Sequence, residues 1–391
     1  MKQILILFST CILIWSYSCS PAAQDTNKEP AKMYEQQELW IGTYTRKEGH
    51  VDGKAQGILK VDFNIENGEM SDASVAGPGI LNPSFIAWSP DGKYCYAASE
   101  TGSDVDTSGY IYAFIRSGDS LKVLNRQPSF AFAPCHVTVH PSGRLVLIAN
   151  YVGGVAAAYP VAPDGSLQPA SDVLRFSGNG PHSRQEASHP HSVNLSPDGS
   201  FAYIPDLGTD KIMIYQVDLA AGKLLPTDPA FVNAAPGAGP RHLAWHPVQP
   251  YAYVVNELDN SVTVYQQNTT NGQLTAIQSV TTLPEGFSGS NTTADVHVSP
   301  DGHWVLASNR GHNSLAVFAI SADEGTLTPV GHPSTQGEVP RNFSFHPSGK
   351  YVLAANQNSS NVAVFRFDSE KGTLTLVHNH AVPTPVCLTW Q

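Results

Sequence analysis

PRHLAWHPVQPYAYVVNELDNSVTVY, residues 240–265, holds the pattern that decides the fold. Two alternating apolar runs flank a Pro-centred turn, and Asn256-Glu257 with a short polar connector leads into a third run. Period-two alternation broken by turn residues reads as three strands with tight links, most of one β-sheet blade. The same grammar recurs along the chain, whereas Arg241 and Glu257 do not recur with it. A constant scaffold with variable polar positions is the pattern of a site grafted onto a repeat.

Six register marks carry the repeat: Pro83, Pro134, Pro190, Pro240, Thr293 and Pro340. Sixteen residues after each come Ser99, Asn150, Asp206, Asn256, Asn309 and Asn356. Between them lies SPDG (89–92, 196–199, 299–302) or HPSG (140–143, 346–349), and once HPVQ (246–249). Pro sets φ in such turns and Gly takes up the reversal, so each unit is a hairpin. A third strand and a fourth after a second Gly-containing turn complete a four-stranded repeat of roughly 50 residues, the length of a β-propeller blade. At the N-terminus, Leu39 to Thr45, Gly57 to Phe63 and the segment after Gly68 read as second, third and fourth strands with no first. PVCLTWQ from Pro385 matches PRHLAWH from Pro240 and then stops. The fold expected is therefore all-β, a seven-bladed propeller whose C-terminal strand joins the N-terminal blade. Such closure removes the sheet edges that invite aggregation, and a monomer is expected.

Composition agrees. The 391 residues are 41% hydrophobic and 14% charged, enough for a large core, and 32 Gly with 29 Pro suit many turns. A net charge of −11 argues against a nucleic-acid partner or an anionic-membrane surface. Lys2 followed by the apolar run Ile4 to Trp15 fits an export signal over residues 1–18, too short to span a bilayer. Cys19 after Ser18 resembles a bacterial lipoprotein processing site, with Ser16 where Leu or Val is usual. Residues 19–37 then read as a polar tether and 38–391 as a single domain. The expected location is the periplasm or cell envelope, with a possible lipid tether through Cys19. Cys95, Cys135 and Cys387 form no CxxC pair, so neither a disulfide framework nor a zinc site is expected, and Cys95 and Cys387 lie in apolar strand patterns.

Hairpin geometry places the site. With the turn near offset eight, residues at offsets one to two and fifteen to seventeen lie at the opposite end, and radial packing brings those ends to one mouth of the channel. They are Ser84 and Glu100; His136 and Asn150; His191 and Asp206; Arg241, His242 and Glu257; Asp295 and Arg310; Arg341, Asn342 and Gln357. His136, Asp206, His242, Asp295, Arg341, Asn342 and Gln357 are expected to contact substrate. Asn150, Asn256, Asn309 and Asn356 are read as turn caps, and His140, His246 and His346, at the turn end, as structural. The longer, polar insertion SGNGPHSRQEASHPH (177–191) enters the mouth end of the third repeat as a lid or wall. The spacing of its His182, His189 and His191 fits no helical metal-ligand pair and only one of them is fixed by a strand, so no metal or other cofactor is expected.

Several stretches carry a specific likeness: IGTYT (41–45), SRQEASHPHSVNLSPDG (183–199), PDLGTDKIMIY (205–215), PRHLAWHP (240–247), YVVNELDNSVTVY (253–265), ASNRGHNSLAVF (307–318) and PRNFSFHPSGKYVLAANQNSSNVAVF (340–365). From about residue 39 to 391 the chain resembles the propeller lactonase family, which includes bacterial 6-phosphogluconolactonase and fungal carboxymuconate cyclase. The resemblance implies a central-cleft site of His191 (in HPHSV), Arg241 (GPRH), Glu257 (VNE) and Arg310 (SNRG). Pro190 and Ile204-Pro205 depart from the family pattern without removing a reacting group. Lactone hydrolysis needs a positioned water, a base and oxyanion stabilisation. His191 or Glu257 is the expected base. Arg241 or Arg310 is the expected oxyanion donor, the other binding a carboxylate or phosphate of a small, sugar-derived lactone. No GxSxG elbow occurs, which argues against a serine nucleophile. Two alternatives stay open: a lactone-forming cycloisomerase using the same residues, and a non-enzymatic ligand-binding propeller.

Overall fold

The structure, a computed structural model, describes residues 36–391. The export signal, Cys19 and the tether up to residue 35 lie outside the described residues. The first strand, Gln36–Thr43, takes in Gln36 and Gln37, which pair with Asn64 and Phe63.

Seven four-stranded antiparallel sheets follow one another as blades, with one two-stranded ribbon, Lys47–Glu48 and Val51–Asp52, beside them. The N-terminal blade takes its innermost strand, Pro385–Trp390, from the other end of the chain. That strand runs beside Gln36–Thr43 from Leu39↔Trp390 to Thr43↔Pro385, closing the ring by backbone hydrogen bonds. The core lies between neighbouring blades. Counting from the N-terminal blade, Tyr253, Val255 and Val264 of blade five (residues 240–281) meet Val296, Val305 and Phe318 of blade six (292–331), and blade seven covers 340–381. Trp40 and Cys387 of blade one meet Ile86, Trp88 and Cys95 of blade two. Both faces of each inner strand are thus covered, and these strands read as apolar on both sides.

The sixteen-residue offset is a pairing register. Pro83↔Ser99, Pro134↔Asn150, Pro240↔Asn256, Thr293↔Asn309 and Pro340↔Asn356 are direct cross-strand partners, and Pro190↔Asp206 form an isolated bridge. At the far end, Gly92, Gly143, Gly199, Gly302 and Gly349 donate to the residue three before and adopt φ of 68 to 76°. A side chain there would be strained, which is why Gly closes five of the six turns. The sixth, HPVQ, satisfies its amides through His246 Nδ1 instead.

Just past five of the six register marks the ladder shifts by one residue. The shift falls between Pro83 and Phe85, Pro134 and His136, Pro240 and His242, Thr293 and Val296, and Pro340 and Asn342. The closing strand repeats it between Pro385 and Cys387. A bulge puts two residues opposite one and re-aims a side chain. Here it turns two consecutive side chains toward the channel, one to each side of the bulge.

Candidate active site

The bulges divide the channel into two storeys. Residues at offset one, among them Cys135, His191 and Arg341, line a 540 Å³ cavity at the mouth together with offset-seventeen residues Glu100, Tyr151, Glu257 and Arg310. Residues at offset two, namely Phe85, His136, His242, Asp295, Asn342 and Cys387, line a separate 390 Å³ chamber on the turn side. Ser84, Arg241 and Val386, also at offset one, border the narrow floor between them. Hairpin spacing alone pools these two rings; the one-residue bulge separates them.

Glu257, in the lining of the mouth cavity, is the centre of its ion-pair network. Its Oε2 accepts from Arg241 Nε at 2.8 Å, and its Oε1 lies 2.7 Å from Arg184 Nη1 and 3.0 Å from Arg310 Nη2. Glu257 and Arg241 are both almost fully buried. Burial raises the carboxyl pKa, but the guanidinium groups of Arg310, Arg241 and Arg184 outweigh it and hold Glu257 well below the usual carboxylate range. An acid so strong is a very weak base. Held by three guanidinium groups, Glu257 acts as an ionised clamp on them, an arrangement that favours His191 over Glu257 as the acceptor of a proton from water. Burial presses Arg310 down to about 10, which leaves it charged at neutral pH. Arg310 Nη2 also donates to the Thr293 carbonyl at 2.9 Å, while its buried Nε has no partner among the described residues.

His191 sits in the cavity wall with Nδ1 3.7 Å from Cys135 Sγ, and Tyr151 meets its ring edge-on at 5.5 Å. Burial first, then the charge of Arg241, holds its pKa well below 6.5, so the ring is neutral at pH 7. Its Nε2 has no hydrogen-bond partner among the described residues. Arg341, across the cavity, lies 3.8 Å from Glu100 and 5.4 Å from the Tyr44 ring. Glu100 in turn accepts from Ser84 Oγ at 2.6 Å.

The remaining expected contacts have other work. Asp206 accepts from the His189 amide at 2.7 Å, the Gly208 amide at 3.0 Å and Ser188 Oγ at 2.6 Å. It is a cap that ties the insertion down, and it does not line the cavity. Gln357 likewise stays outside the cavity lining and donates to Asn358 at 2.9 Å. His136 faces the turn-side chamber, its ring centroid 4.3 Å from that of Phe85. His242, Asp295 and Asn342 also face that chamber, as a connected network beneath Arg241. Asn150 and Asn356 donate to the carbonyls of Ser129 and Thr335, in keeping with their reading as caps.

Three residues of the site do not stand out in the sequence pattern. Arg184 reaches from the insertion to Glu257 and to the Tyr151 hydroxyl at 3.2 Å. Its loop has no register, so strand spacing could not place it. Cys135 and Tyr151 stand at offsets one and seventeen, where the rule that finds Arg241 and Glu257 also points. Residue type, not position, hid them. His189 stacks on Tyr151 at 4.4 Å and His182 Nδ1 accepts the Arg184 amide, so the insertion's histidines brace a wall. No cluster of His, Cys, Asp or Glu suited to a metal occurs among the described residues.

A seven-bladed propeller with an arginine-rich cavity on its innermost strands is the class that fold and site define. The chain belongs to the family described as lactonase, 7-bladed beta-propeller, whose sequence profile matches residues 38–390. It is 35% identical over 306 residues to a protein of Bacillus subtilis named 6-phosphogluconolactonase, covering 78% of this chain and 84% of that one. A Formosa agariphila protein of the same name is 35% identical over 313 residues, covering 78% and 85%. Among solved structures, the periplasmic gluconolactonase of Pseudomonas aeruginosa superposes with a TM-score of 0.84 at 33% identity, covering 91% of this chain and 99% of that one.

Proposed function

We propose that the chain hydrolyses a sugar lactone to its aldonic acid in the mouth cavity. The observation that carries this reading is a neutral, unpartnered imidazole nitrogen sharing one cavity with the guanidinium groups of Arg184 and Arg310, both clamped on Glu257, above a floor bordered by Arg241. In the step proposed, His191 Nε2 takes a proton from a water whose oxygen attacks the lactone carbonyl carbon. Arg241 and Arg310, pre-oriented by Glu257, stabilise the oxyanion, each donor worth about 3 kcal/mol. The ring C–O bond then breaks as the imidazolium returns its proton to the departing alkoxide. Arg341, with only a long contact to Glu100, is the group left to hold a hydroxyl of the lactone and then the carboxylate of the aldonic acid formed.

An exported enzyme would meet an unphosphorylated aldonolactone more readily than a cytosolic phosphosugar, and the likeness to a periplasmic gluconolactonase supports that choice. Acid release is therefore expected from glucono-1,5-lactone, and faster than from its 6-phosphate, in a titrated panel of sugar and simple aliphatic lactones. Absence of acid release above background from every member would reject the hydrolase reading. The location is a separate proposal, resting on the Ile4 to Trp15 run and Cys19. A Cys19→Ser chain should move from the membrane to the soluble fraction, and an unchanged distribution would exclude the lipid tether.

A further inference from the structure

We propose that His242 and Asp295, one storey below the cavity, are positioning residues that aim the Arg241 guanidinium by holding one tautomer of His242. The inference rests on the lactonase reading only in giving Arg241 its role as oxyanion donor. Arginine has no acceptor. Its Nη1 lies 3.1 Å from His242 Nε2, so Nε2 must carry the lone pair. The proton then sits on Nδ1 and is donated to Asp295 Oδ1 at 2.8 Å. The other oxygen of Asp295 is held by His297 Nε2 at 2.9 Å and by the Asn342 amide. Asn342 is fixed in turn, because its own oxygen accepts the Leu388 amide of the closing strand at 2.8 Å.

The chain of bonds therefore runs from the ring-closing strand through blades seven, six and five to Arg241. There Nε is spent on Glu257, and Nη1 on His242 and the Ala294 carbonyl. Nη2 is the nitrogen without a partner among the described residues, and Arg241 borders the cavity floor. Were the tautomer reversed, Nε2–H would confront a guanidinium N–H, and the guanidinium would have to turn. A single proton on a buried ring thus decides where the free donor points.

Nitrogen NMR of the wild-type chain labelled in histidine tests this without any substrate. The His242 signals, assigned by their loss in His242→Gln, should show a protonated Nδ1 and a bare Nε2 at pH 7. An Nε2–H tautomer would overturn the proposal. Kinetics test the consequence. His242→Leu should lower kcat on the best lactone about tenfold or more, a part of the 10²–10³ lost when an oxyanion donor is removed outright, with KM little changed. His242→Gln, whose amide can accept from Arg241 and donate to Asp295, should recover most of that rate. In an Arg241→Gln background, His242→Leu should have no further effect. Equal loss in both backgrounds would mean a packing role only, and overturns the inference. Absence of lactone turnover by the wild-type chain would instead reject the reading of the cavity, while the tautomer would still decide the geometry.

Discussion

Glu257→Gln is expected to lose stability and activity together. The wild-type carboxylate neutralises charge among Arg184, Arg241 and Arg310 and is itself only 3% exposed. Glutamine keeps the shape and one acceptor, but turns an amide N–H₂ toward a guanidinium and leaves buried positive charges facing one another. Breaking a buried pair by removing one partner costs about 3–5 kcal/mol. Most of that falls on Arg241 and Arg310, since Arg184 is 43% exposed and solvent screens its share. With the clamp gone, both proposed oxyanion donors lose their aim, and kcat/KM should drop by about 10³ or more. Thermal melts and steady-state kinetics on the same preparation decide the matter. Lost turnover with an unchanged melting temperature would return Glu257 to the role of proton acceptor.

The ring was legible because hairpin geometry repeats in sequence as a fixed number. A register mark and its partner sixteen residues on are hydrogen-bonded neighbours, so counting residues amounts to counting blades. The same regularity made Pro385–Trp390 recognisable as a first strand without a successor. The storey of each inward residue was harder to read. Arg241 and His242 are adjacent in sequence, and without a bulge an adjacent pair in a strand points to opposite faces. Only the bulge turns both toward the channel, with one above the floor and one below it.

Chemical roles were less legible than positions. Glu257 looked like a base because its offset and the family resemblance put its carboxylate at the channel mouth. What changes its character is the convergence of Arg241 from its own hairpin, Arg310 from the next blade and Arg184 from an irregular loop. Two of these follow from offsets one and seventeen. The third belongs to a segment whose path is set by Asp206 capping Ser188 and His189, and by Gln185 donating to the Leu207 carbonyl. Such side-chain capping leaves no period to read. Asp206 illustrates the converse: its offset suited a site residue, but its hydrogen bonds made it scaffold.

His191→Ala is the second large effect expected, and a different kind of effect. Removal of a general base lowers rates by about 10²–10⁴, and here the loss should appear in kcat, because the guanidinium groups proposed to bind the lactone remain in place. Folding should survive, since the ring forms no strong side-chain hydrogen bond: its Nδ1 only faces the Cys135 sulfur at 3.7 Å. The pH profile carries the sharper test. Only the neutral imidazole can take a proton, so kcat/KM falls as pH drops through the His191 pKa. Burial, with the positive charge of Arg241 and Arg341, moves that pKa below the ordinary 6.5, so the acid limb should lie below pH 6.5. Arg341→Gln removes one of those charges and should shift the limb upward, toward the ordinary value, even where it weakens binding. The residual rate of His191→Ala should show no such limb. An acid limb that stays in place in Arg341→Gln, or persists in His191→Ala, would assign the titrating group to another residue of the cavity.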